Sequence, residues 1–384
     1  MSKFFGKLVT ILVDATDITQ LSGSRTAVYE LYKAVIPLKQ DWRFIIFVSA
    51  LEREFLQYQN VKQVCIPSHN RLLQRMFLQL HILKFELLST ADIVHFARSV
   101  GGYVFRAKSI VSVFDISSII LPNYYPFSTY VYWKKVAPWL LSSSTKIIAI
   151  SHTVKNDLVN SYGFPDDKIE VVYCAPKTDL VKSYIDTHQL DIEKLKIKYS
   201  LPNKYLLYLG ILAKKKNLPT LIKSLVLLKK RSIQFPPLVI SGDVYRKSDD
   251  FESIKSTIQS HKLQQDVMII GPVRDDELAA LYSGAEIFVY PSLHEGFGIP
   301  CIEAMVCGVP VITTASGAIP EIVADAAYLI ENPLDPELYA NAIALLINNP
   351  EFRQKLIDKG KKRSQDFEWT KSAKKLIEIF ESII

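Results

Sequence analysis

Short runs of valine, isoleucine and leucine alternate with longer helical patterns along almost the whole chain. Such runs suit strands that are covered on both faces, as the strands of parallel sheets are. Their alternation with helices is typical of α/β domains, in which each helix carries the chain back to the start of the next parallel strand. Strands are predicted at residues 8–14, 44–48, 93–96, 110–115, 147–151 and 169–173, then at 205–210, 238–242, 267–270, 287–290 and 311–313.

The two series of predicted strands indicate two domains. A length of 384 residues is enough for two or three domains with cores of their own. Residues 179–200 separate the two series and are polar, without strand character, so they are the best candidate for a linker. We therefore predict two Rossmann-like domains with doubly wound parallel sheets, residues 1–180 and 181–365, that face each other across a cleft. The tail from 367 to 384 has the pattern of an amphipathic helix.

Charge and cysteine content narrow the class of protein. Lys and Arg number 46 against 39 Asp and Glu, and the net charge of +7 favours phosphate-bearing ligands or an anionic membrane face. The four cysteines lack metal-binding spacing and are typical of thiols in a reducing compartment. The first residues have no signal-peptide pattern, and no uncharged apolar run reaches the roughly 18 residues needed to span a bilayer. We expect a protein that is soluble or peripheral to a membrane.

Glu295 and Glu303 lie in the segment that carries most of the chemical information. A strand ends just before Glu295, a turn with Gly296 and Gly298 follows, and a short helix begins near Pro300. Glycine lets a backbone approach a ligand closely, and the start of a helix offers N–H groups and a positive dipole end. We interpret the segment as a site for an anionic phosphate and a polyhydroxylated ring. Two glutamates alone would more often be ordinary turn and helix residues.

A second group of polar residues follows the predicted strand at 205–210. Gly210 ends that strand, and three lysines then precede Asn217, which is a good N-cap for the next helix. Lysines grouped at the N-terminus of a helix suit a diphosphate. The alternative is a solvated lysine run at the start of a helix.

With these two segments the chain resembles the retaining glycosyltransferases of family 4, which have the GT-B fold. The family signature is a pair of glutamates separated by seven residues, and the likeness continues through residues 308–312, 317–321 and 329–332. The resemblance implies that Glu295 contacts hydroxyls of the donor sugar and that Glu303 contacts those of the ribose. It also implies that the backbone of residues 296–298 contacts the diphosphate and that a helix at 366–384 returns to the first domain.

The resemblance extends to the lysines and to a strand–helix turn. Lys215, Lys216 and Asn217 fall on an Arg-Lys-Asn motif, in which lysine at 215 keeps the charge but loses the two-pronged guanidinium. The two lysines are expected to neutralise charge on the leaving nucleoside diphosphate. Residues 271–282 resemble the segment whose backbone, near Val273 and Arg274, contacts the nucleotide base. A plain strand–helix turn is the alternative.

In the first half of the chain the resemblance is looser. Gly23 lies in a glycine loop that the family has near the acceptor and the diphosphate. Many relatives carry His-Asp where this chain has Phe114 and Asp115, so no imidazole is carried over to this position. Asp115 is either a catalytic candidate or the cap of a turn. His95, Phe114 and Ser151 are candidates for the acceptor side, although His95 also fits a hydrogen-bonded core histidine.

The resemblance implies a retaining hexosyltransferase in polysaccharide biosynthesis. We expect a UDP-sugar such as UDP-glucose as donor, with GDP-mannose as the alternative, and a growing glycan or a polyprenyl-linked acceptor. The chain has no Asp-x-Asp triplet, so neither a metal nor a cofactor is expected and the lysines take the place of a divalent ion. The catalytic candidates are Lys216, Lys215, Glu295 and Asp115, and the donor-binding candidates are Gly23, Gly210, Val273, Arg274, Glu295, Gly296, Phe297, Gly298, Ile299 and Glu303.

Other classes of function and a membrane contact stay open. A nucleotide-sugar epimerase or hydrolase would share the fold and would turn over the donor with no acceptor present. A non-catalytic basic protein would bind nucleic acid, but no aromatic cluster accompanies Lys214–Lys216, so no nucleic-acid partner is expected. Residues 70–88 and 124–141 mix aromatic, aliphatic and basic side chains, which fits either helices that cover a sheet or a membrane headgroup layer. The expected location is the cytoplasm, with the inner face of the membrane as a candidate contact.

Overall fold

Two all-parallel sheets carry the fold, each in its own part of the chain. The structure is a computed structural model that describes residues 8–16, 23–66, 71–88, 90–99, 101–186, 192–242 and 248–384. The chain divides into two compact units, Met1–Cys174 with Trp369–Ile384 and Ala175–Glu368. The first stretch thus ends at residue 174, whereas the sequence pattern placed its end at 180.

The first sheet has seven strands, and all of its pairings are parallel. The strands are Thr10–Ala15 (β1), Arg43–Val48 (β2), Val61–Cys65 (β3), Ile93–Phe96 (β4), Lys108–Val113 (β5), Lys146–Ala149 (β6) and Ile169–Val171 (β7). Their order in the sheet is β3-β2-β1-β4-β5-β6-β7, so the direction in which strands are added reverses beside β1. The central strands are buried along nearly their whole length, as predicted for a sheet covered on both faces.

The edge strand β3 is one that the sequence pattern does not predict. Lys62 and Gln63 interrupt its apolar residues, and the strand is only partly buried. A strand at the edge of a sheet has a neighbour on one side only and is commonly polar there. A search for continuous apolar runs therefore misses it.

Helices cover the first sheet. They are Gly23–Leu38 (α1), Arg71–Leu87 (α2), Ser117–Ile120 (α3), Phe127–Val131 (α4), Ala137–Ser143 (α5) and His152–Tyr162 (α6). A π-helical turn at Tyr132–Val136 joins α4 to α5. No helix among the described residues is both long enough and apolar enough to cross a membrane.

The second sheet has six strands, again all parallel. They are Leu206–Leu209 (β8), Leu238–Ser241 (β9), Val267–Gly271 (β10), Ile287–Tyr290 (β11), Val311–Thr314 (β12) and Tyr328–Ile330 (β13). The order is β10-β9-β8-β11-β12-β13, so this sheet reverses beside β8. Both sheets are therefore doubly wound in the Rossmann manner, as predicted.

The helices of the second unit include two in the stretch expected to be a linker. They are Thr178–Asp186 (α7), Ile192–Tyr199 (α8), Leu218–Lys230 (α9), Ser248–Ser260 (α10), Leu278–Ser283 (α11), Ile299–Val306 (α12), Ile319–Val323 (α13), Pro336–Asn348 (α14) and Pro350–Ser364 (α15). The linker prediction for residues 179–200 is wrong because buried Leu180 and Leu195 anchor α7 and α8 to the core of the second unit. Sparse apolar positions suffice to hold short surface helices in place.

The last helix, Trp369–Glu381 (α16), belongs to the first unit and packs against α1. The Ser372 hydroxyl donates to the Tyr173 carbonyl oxygen at 2.6 Å, which ties the helix to the end of the first stretch of chain. The apolar side that the sequence predicts is the buried one, with Trp369, Ala373, Leu376, Ile377 and Phe380. The chain therefore returns to its first unit, as expected.

Candidate active site

The carboxyl ends of β8 and β11 lie side by side where the strand order of the second sheet reverses. β8 pairs with β9 on one side and with β11 on the other. Parallel α/β sheets bind ligands in the crevice outside the strand ends at such a point. The loop after β8 carries Lys215 and Lys216, and the loop after β11 carries Glu295. The two motifs that the sequence singled out are thus neighbours in space.

The ammonium of Lys216 and the carboxylate of Glu295 form a buried ion pair. Lys216 Nζ lies 2.6 Å from Glu295 Oε1, and the two residues are only 7% and 9% exposed. Lys216 also donates to the hydroxyl of Tyr290, whose ring centroid is 4.7 Å from Nζ. Ser292 donates its hydroxyl hydrogen to the same oxygen of Glu295. These added hydrogen bonds offset the cost of removing the two charges from water.

Glu295 stays ionised in spite of its burial. Burial by itself raises the pKa of this carboxyl, because the charged form loses its hydration. The positive charges of Lys216 and Lys215 and the hydrogen bonds from Lys216 and Ser292 outweigh that effect, so the pKa lies below its ordinary value. The site therefore presents a fixed carboxylate, which can accept hydrogen bonds from hydroxyl groups of a ligand.

Backbone contacts join the two loops that carry this pair. The Lys215 carbonyl oxygen accepts from the Leu293 N–H at 2.8 Å, and the Ser292 hydroxyl oxygen lies 3.3 Å from it. The Ser292 carbonyl in turn accepts from the Thr314 hydroxyl, on β12, at 2.7 Å. The loop after β8, with the lysines, and the loop after β11, with Glu295, are therefore fixed relative to each other by these hydrogen bonds.

Two glycines allow the turn around Glu295 to close. Gly317 has φ +60°, and a Cβ there would lie 2.5 Å from the Glu295 carbonyl oxygen and 2.8 Å from its nitrogen. The next residue, Ala318, donates its N–H to that carbonyl at 2.8 Å. Gly298 has φ +106°, and a Cβ there would lie 2.5 Å from Ile319 Cδ1. Glycine is required at both positions for backbone conformation and close packing inside the protein.

The turn between Glu295 and α12 is buried. The Phe297 ring packs edge to face on Phe367, with centroids 5.5 Å apart, so its side chain contributes to the core. Ile299 is the first residue of α12 and is half-buried. Any contact of Gly296 or Phe297 with a ligand therefore comes from the backbone, which agrees with the contact expected for residues 296–298.

Glu303 lies inside α12 and is 3% exposed. The Tyr282 hydroxyl donates to its Oε2 at 3.0 Å, whereas Oε1 is buried with no hydrogen-bond partner among the described residues. Burial raises the pKa of Glu303, and the charge of Lys177, the bond from Tyr282 and, more weakly, the backbone N–H of Lys177 oppose the rise without cancelling it. A buried oxygen without a partner is costly, and a ligand hydroxyl would relieve that cost.

The helix after the lysines begins differently from the prediction. Asn217 stands at the N-cap position of α9, but it has φ +56° and its side chain does not bond a backbone N–H of the helix. Its Oδ1 accepts from the Thr220 hydroxyl at 2.7 Å, and its Nδ2 donates to the Pro333 carbonyl at 2.5 Å. The left-handed backbone turns the amide away from the usual capping position, so Asn217 ties the lysine loop to the segment after β13.

The candidate base-contacting turn after β10 is largely exposed. The Arg274 guanidinium pairs with Asp276, and the Arg274 N–H donates to Glu277 Oε2 at 3.3 Å. Val273 is half-buried beside the core of the second unit. Base contact at Val273 and Arg274 stays a prediction. Among the described residues, no group of three or more His, Cys, Asp and Glu is placed to hold a metal ion.

Two family models match the chain, one over each half. The model described as Glycosyltransferase Family 4 matches residues 21–180, and the one described as Glycosyl transferases group 1 matches residues 191–363. The chain is a family 4 glycosyltransferase. Its two doubly wound sheets are those of the GT-B fold, as expected.

Individual relatives of this glycosyltransferase agree with the family. It is 27% identical to the O-antigen chain mannosyltransferase B of Escherichia coli over 82% of this chain and 83% of that one. It is 29% identical to the serotype-specific mannosyltransferase WbdA of Escherichia coli over 68% of this chain, although it spans only 31% of that larger protein. The solved structure of Anabaena Alr3699/HepE in complex with UDP-glucose covers 97% of this chain at 18% identity and a TM-score of 0.76, which shows the fold.

In the first unit of the glycosyltransferase, the acceptor-side candidates His95 and Ser151 make hydrogen bonds within the protein. His95 is fully buried, with Nδ1 2.5 Å from the Tyr32 hydroxyl and Nε2 2.8 Å from the Ser112 hydroxyl, and burial lowers its pKa to about 3. Ser151 caps α6 by accepting from the Val154 N–H at 3.1 Å. His95 is therefore a hydrogen-bonded core histidine, the alternative that the sequence left open.

The remaining first-unit candidates lie at element ends. Asp115 accepts from the Ser117 N–H at 3.0 Å and so caps the turn after β5. The Phe114 N–H donates to the Ser99 hydroxyl at 3.0 Å. Gly23 is the first residue of α1 with open space around its Cβ position, and residues 21–22 of the same loop lie outside the described residues. A catalytic role for Asp115 stays a prediction.

Sequence reasoning missed four side chains that support the glutamates of this glycosyltransferase. Tyr290, Ser292 and Thr314 flank the ends of β11 and β12, and Tyr282 reaches Glu303 from α11. The position of Tyr290 and Ser292 at a strand end, just before Glu295, was a usable signal. No sequence signal marks Tyr282, because its helix, α11, comes to lie beside α12 only when the chain folds.

Proposed function

We propose that the protein transfers a hexose from a nucleoside-diphosphate sugar to a growing glycan or a lipid-linked acceptor in polysaccharide biosynthesis. The observation that carries the proposal is that two buried carboxylates with different hydrogen-bond partners lie near helix α12. Glu295 is ionised and held by Lys216, whereas Glu303 Oε1 is buried and accepts no hydrogen bond from the residues that the structure describes.

Glu303 is suited to the ribose of the donor. Two neighbouring ribose hydroxyls can donate to a carboxylate, and the first of them would satisfy the buried Oε1. The Tyr282 bond to Oε2 fixes the orientation of the group before a ligand arrives. A carboxylate that is already oriented loses little freedom when the ligand binds, which favours affinity for the nucleotide.

Glu295 is suited to the transferred sugar, and the lysines to the diphosphate. An ionised carboxylate in a buried turn accepts from sugar hydroxyls more strongly than a neutral group does. Lys215 and Lys216 place two positive charges beside it, and the N-terminus of α12 follows within four residues. Together they would stabilise the negative charge that develops on the leaving nucleoside diphosphate, without a divalent ion.

Retention of the anomeric configuration is part of the proposal. A double displacement needs a carboxylate poised as a nucleophile, but Glu295 is already engaged by Lys216 and Ser292. We favour substitution on the same face, in which a donor phosphate oxygen accepts the proton of the attacking hydroxyl.

The identity of the sugar rests on the relatives. The sequence favours UDP-glucose as the donor, with GDP-mannose as the alternative. The two Escherichia coli relatives are both mannosyltransferases, which favours the mannose donor. We also propose a cytoplasmic location at the inner face of the membrane, where a lipid-linked acceptor would be met.

A donor screen with product analysis tests the proposal. The protein is incubated with UDP-glucose, GDP-mannose and other nucleotide sugars, with and without a polyprenyl-linked glycan, and the products are identified by mass spectrometry and anomeric NMR. We expect nucleotide release that depends on the acceptor, and a new linkage with the anomeric configuration of the donor. Equal turnover without any acceptor would support an epimerase or hydrolase instead.

A further inference from the structure

Helix α2 of the first unit has its apolar side facing away from the protein. The residues that it turns inward are Gln74, Leu78, Ile82 and Glu86, each buried and spaced by four, and two of them are polar. Its exposed large side chains are Leu73, Met76, Phe77, Leu80 and Leu87. A surface helix normally buries its apolar stripe against the core. The side chains of Arg71 and Leu72, and the whole of Asn70, lie outside the described residues.

Two polar side chains of α2 hold a neighbouring loop by its backbone. Gln79 donates to the Tyr103 carbonyl at 2.6 Å and accepts from the Tyr103 N–H at 3.0 Å. Glu86 accepts from the N–H groups of Phe105, Arg106 and Ala107 at 3.0, 2.9 and 3.1 Å. With the backbone fixed in this way, the Tyr103 and Phe105 rings point outward, 46% and 68% exposed, and stack edge to face at 4.7 Å.

The same loop joins α2 to a second exposed apolar segment. A Cβ at Gly102 would lie 2.8 Å from Gln79 Oε1 of α2, and one at Gly101 would lie 3.5 Å from Leu140 Cβ of α5. The segment that leads into α5 exposes further large apolar side chains. These are Phe127, Val131, Val136 and Trp139. We call the exposed side chains of α2, of residues 103–105 and of residues 127–139 the apolar face. Single exposed apolar side chains are ordinary on a protein surface, whereas a group of them marks a surface that contacts a partner.

The charges around the apolar face have one sign. Lys84, Arg106, Lys134 and Lys135 are exposed on these segments. Residues 71–88, 101–107 and 117–143 contain a single acidic residue, Glu86, and it is buried against the loop backbone. A second copy of the chain related by a twofold axis would bring these cations against themselves. Nucleic acid would leave the aliphatic side chains of α2 without a use.

We propose that the apolar face docks the protein on the surface of an anionic phospholipid bilayer. Leucine, methionine and aromatic side chains would enter the boundary between headgroups and acyl chains, and the lysines would meet the lipid phosphates. Tryptophan and tyrosine favour this interface because one part of the ring is apolar and another is polar. The inference goes beyond sugar transfer and does not depend on which donor the protein uses.

Flotation with lipid vesicles tests the apolar contribution. The full chain is mixed with vesicles of phosphatidylglycerol and phosphatidylethanolamine, or of phosphatidylcholine alone. We expect flotation with the anionic vesicles only, and about tenfold or greater weakening in the variant Phe77→Ser/Leu80→Ser/Phe105→Ser. The matched control is Leu56→Ser/Ile197→Ser, which removes side chains that are 62% and 81% exposed elsewhere. It should float like the wild type.

A second pair of variants tests the charge. Lys134→Glu/Lys135→Glu should weaken binding to anionic vesicles about tenfold, whereas Lys204→Glu/Lys255→Glu, on the second unit, should change it little. Circular dichroism melting curves verify that each variant is folded. The proposal is overturned if the wild type does not float with anionic vesicles, or if both test variants float as well as it does. It is also overturned if the serine variant changes only the oligomeric state measured by light scattering.

Discussion

Lys216 donates a 2.6 Å hydrogen bond to Glu295, a residue 79 positions later in the sequence, and so joins the loops after two adjacent strands. The pair lies at the reversal point of the second sheet, where the fold opens its crevice for ligands. Because both side chains are buried, each depends on the other for its charge. The lysine is therefore a structural element of the donor site as well as a source of positive charge for the proposed leaving group.

Replacing Lys216 by methionine should harm stability and transfer together. The substitution keeps most of the side-chain volume but leaves Glu295 buried without its counter-ion, which costs roughly 3–5 kcal/mol of folding free energy. We expect the pKa of Glu295 to rise and the transfer rate to fall by at least a hundredfold. Urea unfolding and initial-rate measurements test this prediction. Lys229→Met breaks an exposed pair with Asp266 and should cost about 1 kcal/mol or less.

Replacing Glu303 by glutamine should weaken nucleotide binding selectively. The amide keeps the shape of the carboxyl, but it offers one acceptor oxygen and places donors where the ribose hydroxyls would donate. The expected loss is about 1–3 kcal/mol, or roughly 5- to 150-fold in affinity for UDP or GDP by calorimetry. The control Glu337→Gln changes an exposed side chain on α14. Unchanged nucleotide affinity in the Glu303 variant would rule out the ribose assignment.

The two glutamates should respond to pH in opposite senses in the ligand-free protein. The pKa of Glu295 is lowered from 4.5, so its contribution to stability is present above that pH and is lost as pH falls through the lowered value. The pKa of Glu303 is raised from 4.5, so its contribution is complete below that pH and is lost as pH rises through the raised value. Near neutral pH, Glu295→Gln should therefore melt below the wild type and Glu303→Gln above it. Melting curves at several pH values test this, and shifts of the same sign would contradict it.

Adding one methyl group at Gly317 should displace the Glu295 turn. The Cβ of Gly317→Ala would lie 2.5 Å from the Glu295 carbonyl oxygen, so the backbone of the turn must move. We expect a cost of more than about 2 kcal/mol, since strain from the positive φ adds to the clash, and a large loss of transfer activity. Gly163→Ala is the matched control because it has a similar φ of +69° with nothing within 4 Å, and it should cost about 1 kcal/mol.

Chelation should leave the transfer rate unchanged. The proposed stabilisation of the leaving group comes from Lys215, Lys216 and the start of α12, which EDTA does not affect. Initial rates before and after dialysis against EDTA, with and without added magnesium or manganese, measure this directly. A strict requirement for a divalent ion would contradict the metal-independent account.

Much of the architecture can be predicted from the sequence, because a strand that is buried on both faces of its sheet is a continuous run of apolar residues. Strands in the middle of the two sheets are continuous apolar runs, and the terminal helix shows its buried side by its spacing. The same pattern fails for β3, whose place at an edge allows Lys62 and Gln63, and for α7 and α8, which few apolar residues anchor.

The sequence by itself determined the two sheets, the turn at Glu295 and the loop with Lys215 and Lys216, because a local pattern of neighbouring residues predicts each of them. Only the tertiary structure decided that Lys216 pairs with Glu295, that Tyr282 reaches Glu303, and that α2 turns its apolar side outward. These relationships join residues far apart in the chain or depend on which side of a helix meets the sheet. Strand order brings the Lys216 and Glu295 loops together and helix packing sets the other two, and no local spacing encodes either.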